Sequence, residues 1–157
     1  MNRLNEFDCN VLNINTALLN ACKHGNNSAA FVFDDGNKKK VIGACVYCCP
    51  SFKVEDTVHP AIEIKTFAID KNYQDSYFED SEVLCSAFVF NLFADHLCNI
   101  KTKYIYAEYI ILYALDRNKV KSFYEKNGFV TFKAGDRSLR DVGEYNNEYS
   151  MFKYIGE

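Results

Sequence analysis

Between a strand-like stretch, AIEIKTFAID, and a long apolar stretch, VLCSAFVFNLFADHLC, lies the segment DKNYQDSYFEDSE, residues 70–82. A strand that turns into a helix is a common place to hold a phosphate. Backbone N–H groups at the helix start point at the anion, and the helix dipole favours negative charge there. Such turns use glycine, because the backbone must approach the ligand closely and often takes positive φ. This turn has no glycine and carries Asp75, Glu79, Asp80 and Glu82. At ~6 Å and an effective dielectric of ~20, one like-charge pair costs about 3 kcal/mol, less where salt screens it. The same carboxylates suit the start of a helix by complementing its dipole. From composition alone the segment reads either as an anion site or as an acidic helix start.

Other reactive side chains are more dispersed. Cys45-Val-Tyr-Cys48-Cys49 resembles a C-x-x-C pair, but it lies on a strand-like stretch with alternating sides, and no second Cys or His pair has ligand spacing. No metal site is expected. The seven cysteines (Cys9, Cys22, Cys45, Cys48, Cys49, Cys85 and Cys98) are odd in number and read mainly as small apolar core residues in a reducing compartment. His24, His59 and His96 have no spacing that suggests a triad or a metal. Glu63 lies in AIEIKTFAI, residues 61–69, where Ile62, Ile64, Thr66 and Ala68 alternate with Glu63, Lys65 and Phe67. That pattern predicts a strand with one polar-lined face and a solvated or paired Glu63.

These residues need elements to position them. The chain has 157 residues, 48% apolar and 25% charged, which fits one domain spanning 1–157 with a substantial core. Eleven Tyr and thirteen Phe argue against disorder. The net charge of −3 implies no broad basic surface; Lys38–Lys40, Lys101, Lys103, Arg117, Lys119 and Lys121 read as solvated faces. A nucleic-acid partner is possible but is not signalled by the total charge. The start MNRLNEFDCN lacks a secretory pattern, and no run reaches the ~18 apolar residues of a membrane span, so no membrane partner and a cytoplasmic location are expected.

The spacing predicts an amphipathic helix over 12–24, with Leu12, Ala17, Leu18, Ala21 and Cys22 sharing a face and Gly25 ending it. Strands follow over 29–34 and 40–49, joined at Asp35-Gly36. Residues 51–60 read as a loop, and the strand over 61–69 follows it. A helix from about Asp80 to Cys98, apolar nearly all round, reads as packed between layers. KYIYAEYIIL, 103–112, reads as a central strand covered on both faces. Asp116 caps a short helix that Gly128 ends, and strands follow over 129–133 and 149–155. The fold class is α/β (α+β): a mixed sheet with antiparallel hairpins first and a βαβ crossover in the middle.

Three of these pieces, in this order, resemble the GCN5-related N-acetyltransferase (GNAT) family: AIEIKTFAID followed by Tyr73-Gln74, then YIYAEYIIL leading into a short helix, then SFYEKNGF, 122–129. The last is similar to the family's Tyr-Glu-Lys-x-Gly-Phe signature and is the most specific. Phe7-Asp8-Cys9, the leucine-bearing helix after it and the hairpin FVFDDGNKKKVIGACVYC are similar to the toxin-type branch found in toxin–antitoxin pairs, whose members acetylate aminoacyl-tRNA.

The resemblance implies a three-layer fold with splayed middle strands and helices on both faces. It implies acetyl-CoA as cofactor, its pantetheine arm on the backbone of Phe67, Ala68 and Ile69, and its pyrophosphate on Gln74, Asp75, Ser76 and Tyr77. Gln74 matches the family's pyrophosphate pattern, whereas both glycine positions hold bulky residues, Tyr77 and Glu79. Arg117 stands where many relatives have an asparagine touching the cofactor arm, and Asn118 is one position later. Tyr124 matches the general acid that protonates the departing thiolate, and a phenol of pKa ≈ 10 suits that transfer. Glu63 falls where some relatives place a general base acting on the amine through water.

Three functions follow as expectations. The first is an acetyl-CoA-dependent N-acetyltransferase in which a small-molecule or macromolecular amine attacks the thioester directly in a ternary complex. The second is a toxin-type enzyme acting on aminoacyl-tRNA. The third is a GNAT-like scaffold that has lost its cofactor site and serves as a binding module. The acceptor-specifying segments, 12–28, 50–60 and 134–148, match nothing specific, and a homodimer stays open.

Overall fold

The computed structural model describes residues 6–21, 27–34, 36, 40–54, 56–78, 81–114, 118, 120–132, 137–138 and 150–156. Expectations placed on Cys22, His24, Gly25, Asp35, Glu79, Asp80, Asp116 and Arg117 lie outside the described residues. In chain order the elements are α1 (Leu12–Ala21), β1 (Ser28–Asp34), β2 (Lys40–Cys48), β3 (Ser51–Val54), β4 (Thr57–Ile69), α2 (Cys85–Lys103), β5 (Tyr109–Tyr113), a π-helical turn (Val120–Tyr124), a 3-10 turn (Glu125–Asn127), β6 (Val130–Thr131), β7 (Arg137–Ser138) and β8 (Ser150–Tyr154). No helix among the described residues is long and apolar enough to cross a membrane. The chain forms two compact units, Met1–Tyr47 with Thr66–Leu97, and Cys48–Lys65 with Cys98–Glu157.

In the first unit β1 and β2 pair antiparallel from Ser28↔Tyr47 to Asp34↔Lys40, with a bulge at Val32/Phe33. The end of β4 lies beside β2, and the Asp70 N–H donates to the Ile42 carbonyl at 2.9 Å. One core forms from Phe7, Cys9, Leu18, Ala21, Val41, Ala44, Val46 and Ala68, with Ile14 packed against it. The working face of α1 is thus Ile14, Leu18 and Ala21, spaced i, i+4, i+7. Leu12, expected on that face, is 79% exposed, and Ala17 is exposed too. The helix offers one turn-spaced stripe, narrower than the sequence pattern suggests.

Helix α2 differs from expectation twice. It begins at Cys85, not near Asp80, and its buried residues Cys85, Val89, Phe90, Phe93 and Leu97 mark one side, while Asn91, Leu92, Asp95 and His96 are exposed. It is amphipathic and not apolar all round. Phe90 and Phe93 meet the Phe67 ring edge-on at 5.0 and 6.0 Å. Val89 sits so close to β2 that a Cβ on Gly43 would lie 2.4 Å from its Cγ1.

In the second unit β5 is central: it runs parallel to β4 over Ala61↔Tyr109 to Ile64↔Leu112 and antiparallel to β8 over Tyr109↔Tyr154 to Tyr113↔Ser150. Ile110, Ile111 and Leu112 are all buried, as a strand covered on both faces requires. The strand is shorter than expected, because Lys103 ends α2 and Tyr104 and Tyr106, 79% and 72% exposed, lie before it. β6 pairs β8 over Val130↔Phe152 and Thr131↔Met151.

The loop expected over 51–60 is a hairpin: β3 pairs the start of β4 from Ser51↔Pro60 to Val54↔Thr57, and β7 pairs β3. Asp56 takes a left-handed φ of 68° in its turn. Phe52, fully buried, meets the rings of Tyr109, Phe132 and Phe152 at 5.4, 4.9 and 5.5 Å. That aromatic cluster explains why so short a strand forms.

Candidate functional site

The expected cofactor residues Phe67, Ala68, Ile69, Gln74, Asp75, Ser76 and Tyr77 belong to the first unit, and Glu63, Asn118 and Tyr124 to the second. β4 delivers the arm-binding segment. Among the described residues its register with β5 covers Ala61–Ile64, whereas the strand continues to Ile69. Ala68 and Ile69 are buried and Phe67 packs on α2, so these side chains hold the strand in place.

The turn after β4 is built around Asp70, which sequence reasoning passed over. Asp70 is 1% exposed. It accepts the Asp8 N–H at 3.2 Å, the Asn72 N–H at 3.1 Å, the Asn72 side-chain amide at 2.7 Å and Lys40 Nζ at 3.2 Å. Burial opposes its charge, yet the Asn72 and Asp8 N–H groups, the Asn72 amide and Lys40 outweigh it and hold the carboxyl below the ordinary range. Asp8 is lowered to about 2, chiefly by Lys71 at 2.8 Å, then by the Asn10 N–H and the Asn15 amide. The segment Phe7-Asp8-Cys9 thus straps onto the turn: Phe7 and Cys9 are buried, Asp8 carbonyl accepts the Lys71 N–H at 2.7 Å, and Gln74 Nε2 donates to Cys9 carbonyl at 2.9 Å.

Gln74 also donates to Ile69 carbonyl at 3.0 Å, so its amide N–H groups serve the fold. Ser76 Oγ donates to Tyr73 carbonyl at 3.1 Å, Asp75 is exposed, and Tyr77 is 61% exposed and bridges antiparallel to Leu84. The first turn of α2 holds no acidic residue, so the acidic helix start expected of this segment is not what Asp75 and Glu82 provide. The Lys71, Asn72 and Tyr73 N–H groups and the Gln74 side-chain amide are thus bonded within the fold.

In the second unit Glu63 is 4% exposed, mid-strand on β4 and in register with Ile111. It is not on a solvated face as the alternation predicts: residues 61–64 are buried on both sides of the strand. Tyr124 ends the π-helical turn, half-buried, with its ring 5.2 Å from Phe123 and 6.2 Å from Phe129. The regular helix expected here is a wide turn followed by a tight one, a departure often seen at functional sites. Gly128, at φ 82°, ends it and donates to Glu125 carbonyl at 3.0 Å, as expected. Asn118 is exposed, and its carbonyl accepts from Ser122 Oγ at 2.7 Å.

The cysteines are largely core: Cys9, Cys45, Cys48 and Cys85 are buried, and burial pushes the Cys45 thiol up to about 12. Cys49 is exposed and departs from that reading.

These elements build the fold of the GNAT acetyltransferases. AtaT complexed with acetyl-methionyl-tRNAfMet superposes with a TM-score of 0.67 at 18% identity, over 96% of this chain and 86% of that one. A tyrosine-to-phenylalanine variant of the AtaT toxin, bound to the C-terminus of the antitoxin AtaR and acetyl-CoA, gives 0.68 at 19%, over 96% and 84%. Tetrahymena GCN5 gives 0.60 at 18%, over 98% and 84%. At these identities the likeness is one of fold. No protein-family model and no curated protein sequence matches the chain.

Proposed function

We propose that this chain is an acetyl-CoA-dependent N-acetyltransferase. The observation that supports the reading is the likeness of fold to GNAT acetyltransferases, in which β4, running on to Ile69, stands where this fold holds the cofactor arm. Acetyl-CoA, when bound, supplies an acetyl group activated as a thioester. The chain's own residues orient and move protons. Direct attack by an amine forms the C–N bond as the C–S bond breaks, and Tyr124 Oη gives its proton to the departing sulfur. The amine's proton leaves to solvent or to a base, and the phenol is reprotonated from water. Glu63 is assigned as the base acting through water.

A second reading narrows the acceptor to aminoacyl-tRNA. It is favoured by the fold likeness to AtaT, seen with an acetylated methionyl-tRNA. The net charge of −3 offers it no electrostatic help.

Calorimetry with acetyl-CoA, followed by thiol release with a panel of amines and an aminoacyl-tRNA, tests both. Binding with release on some amine is expected. No binding at millimolar cofactor would sink the enzyme reading, and release on amines but not on aminoacyl-tRNA would sink the narrower one.

A further inference from the structure

Gln74 has the residue type expected at a pyrophosphate turn, yet its side chain is turned inward. Its Nε2 donates to Cys9 carbonyl at 2.9 Å and to Ile69 carbonyl at 3.0 Å. A primary amide has two N–H donors, and both are accounted for. The remaining atom, Oε1, is an acceptor and offers nothing to an anion. The orientation is fixed as well, because turning the amide over would set Oε1 against two carbonyl oxygens. The side chain therefore clasps the last residue of β4 to a residue 65 positions before it in the chain.

The segment it clasps, Phe7-Asp8-Cys9, is itself held from α1. Asn15 Oδ1 accepts the Cys9 N–H at 3.1 Å and the Cys9 Sγ–H at 3.0 Å. Asn15 Nδ2 donates to Asp8 Oδ1 at 3.0 Å. Asp8 Oδ1 also accepts the Asn10 N–H at 2.8 Å, where Asn10 takes a left-handed φ of 63°. Asp8 then returns to the turn: its carbonyl accepts the Lys71 N–H at 2.7 Å, and its Oδ2 accepts Lys71 Nζ at 2.8 Å. Asn15, the Asp8-Cys9 pair, Lys71 and Gln74 thus form one connected network from helix to turn. Cys9, 4% exposed, sits at its centre.

We propose that Gln74 and Asn15 are positioning residues for the acyl donor: the N-terminal segment, locked by Asn15 and clasped by Gln74, sets the path of the turn that meets the donor's diphosphate. The inference rests on the acetyltransferase reading and deepens it. It makes donor affinity depend on a residue of α1 that acts only through the segment between. A binding site loosens when the groups supporting it are released, even if no contact to the ligand is removed.

The test uses the full chain as wild type, Gln74→Ala and Asn15→Ala. Calorimetry gives the affinity for acetyl-CoA, and thiol release is measured at saturating acetyl-CoA with an amine the wild type accepts. Labelling of Cys9 and Cys45 by N-ethylmaleimide, read by peptide mass spectrometry, reports on the ligand-free protein; both thiols are buried. Both variants should raise the dissociation constant about tenfold while turnover at saturation stays near that of the wild type. Cys9 should label faster in both, and Cys45 as before. Weaker donor binding in one variant and not the other overturns the inference, and in Gln74→Ala alone it makes Gln74 a direct contact. Unchanged affinity in both, or labelling of Cys9 and Cys45 that rises together, makes the network purely structural and also overturns it. Should a variant not fold, the wild type decides. Saturating acetyl-CoA slows Cys9 labelling more than Cys45 labelling if segment and turn are coupled, since coupling is reciprocal; slowing of neither, or of both alike, overturns the inference. If the wild type binds no acetyl-CoA, the acetyltransferase reading falls and this inference with it. If it binds but no amine is acetylated, that reading falls alone, and the affinities still decide this one.

Discussion

Asp70 and Tyr124 are single residues with different jobs, and each can be tested alone. Asp70 is a buried carboxylate with two backbone donors, one side-chain amide and one lysine on it. Removing it strands those donors and Lys40. Asp70→Ala should cost about 2–4 kcal/mol in urea unfolding, with Asp70→Asn costing less because it keeps an acceptor oxygen. Tyr124→Phe keeps the ring contacts with Phe123 and Phe129 and deletes only the hydroxyl. It should lower thiol release by about 10²-fold or more while leaving acetyl-CoA affinity nearly intact; unchanged turnover would remove Tyr124 from the mechanism. The sequence singles out Tyr124, because the signature around it is local. Asp70 is not, because its partners Asp8 and Lys40 lie 62 and 30 positions away and nothing local marks the pairing.

At the scale of elements, spacing and packing part company in instructive places. β1, β2 and the end of β4 read correctly, because runs of β-branched and aromatic residues bounded by breakers identify strands. The hairpin over β3 and β4 does not, since Pro50, Pro60 and the acidic Glu55-Asp56 look like a loop. Pro60 is tolerated in the strand because its carbonyl is what the ladder uses, accepting the Glu108 N–H at 2.9 Å. The start of α2 is misplaced for a related reason. Asp80 and Glu82 look like a helix start, but Val83 carbonyl pairs with Phe78 and holds the chain in a hairpin until Cys85. Gly43 sits where β2 and α2 approach most closely. Gly43→Ala places a methyl 2.4 Å from Val89 Cγ1, and the overpacking should cost about 1–3 kcal/mol. A matched Val89→Ala in the same chain should recover part of the loss in the denaturation midpoint, whereas equal stability of wild type and Gly43→Ala would show that the two elements can simply shift apart.

For the molecule as a whole, the ion pairs Lys71–Asp8 and Lys40–Asp70 around the turn after β4 set a pH dependence. Asp8 lies at about 2 against an ordinary 3.8, and Asp70 is also below 3.8. With folded-state values depressed, the unfolded chain takes up protons first. Stabilisation is therefore complete above pH 3.8 and is lost as the pH falls toward about 2. The difference in thermal midpoint between wild type and Asp8→Asn should be present near neutral pH and close across that acid window; a difference that persists unchanged to its lower end would mean that the carboxylate charge is not what matters.

The hydrogen bonds around the Tyr77↔Leu84 bridge also fix how this protein meets deuterated water. Amides that face outward to receive a phosphate exchange freely until the ligand arrives. Those of Phe78, Ser81, Val83 and Cys85 are bonded already. They should exchange slowly in the ligand-free protein, and acetyl-CoA should add little to their protection. Fast exchange at these amides that slows on adding acetyl-CoA would show the hairpin opening to take the diphosphate. Slow exchange in both states would make the turn a part of the scaffold that is finished before any substrate arrives.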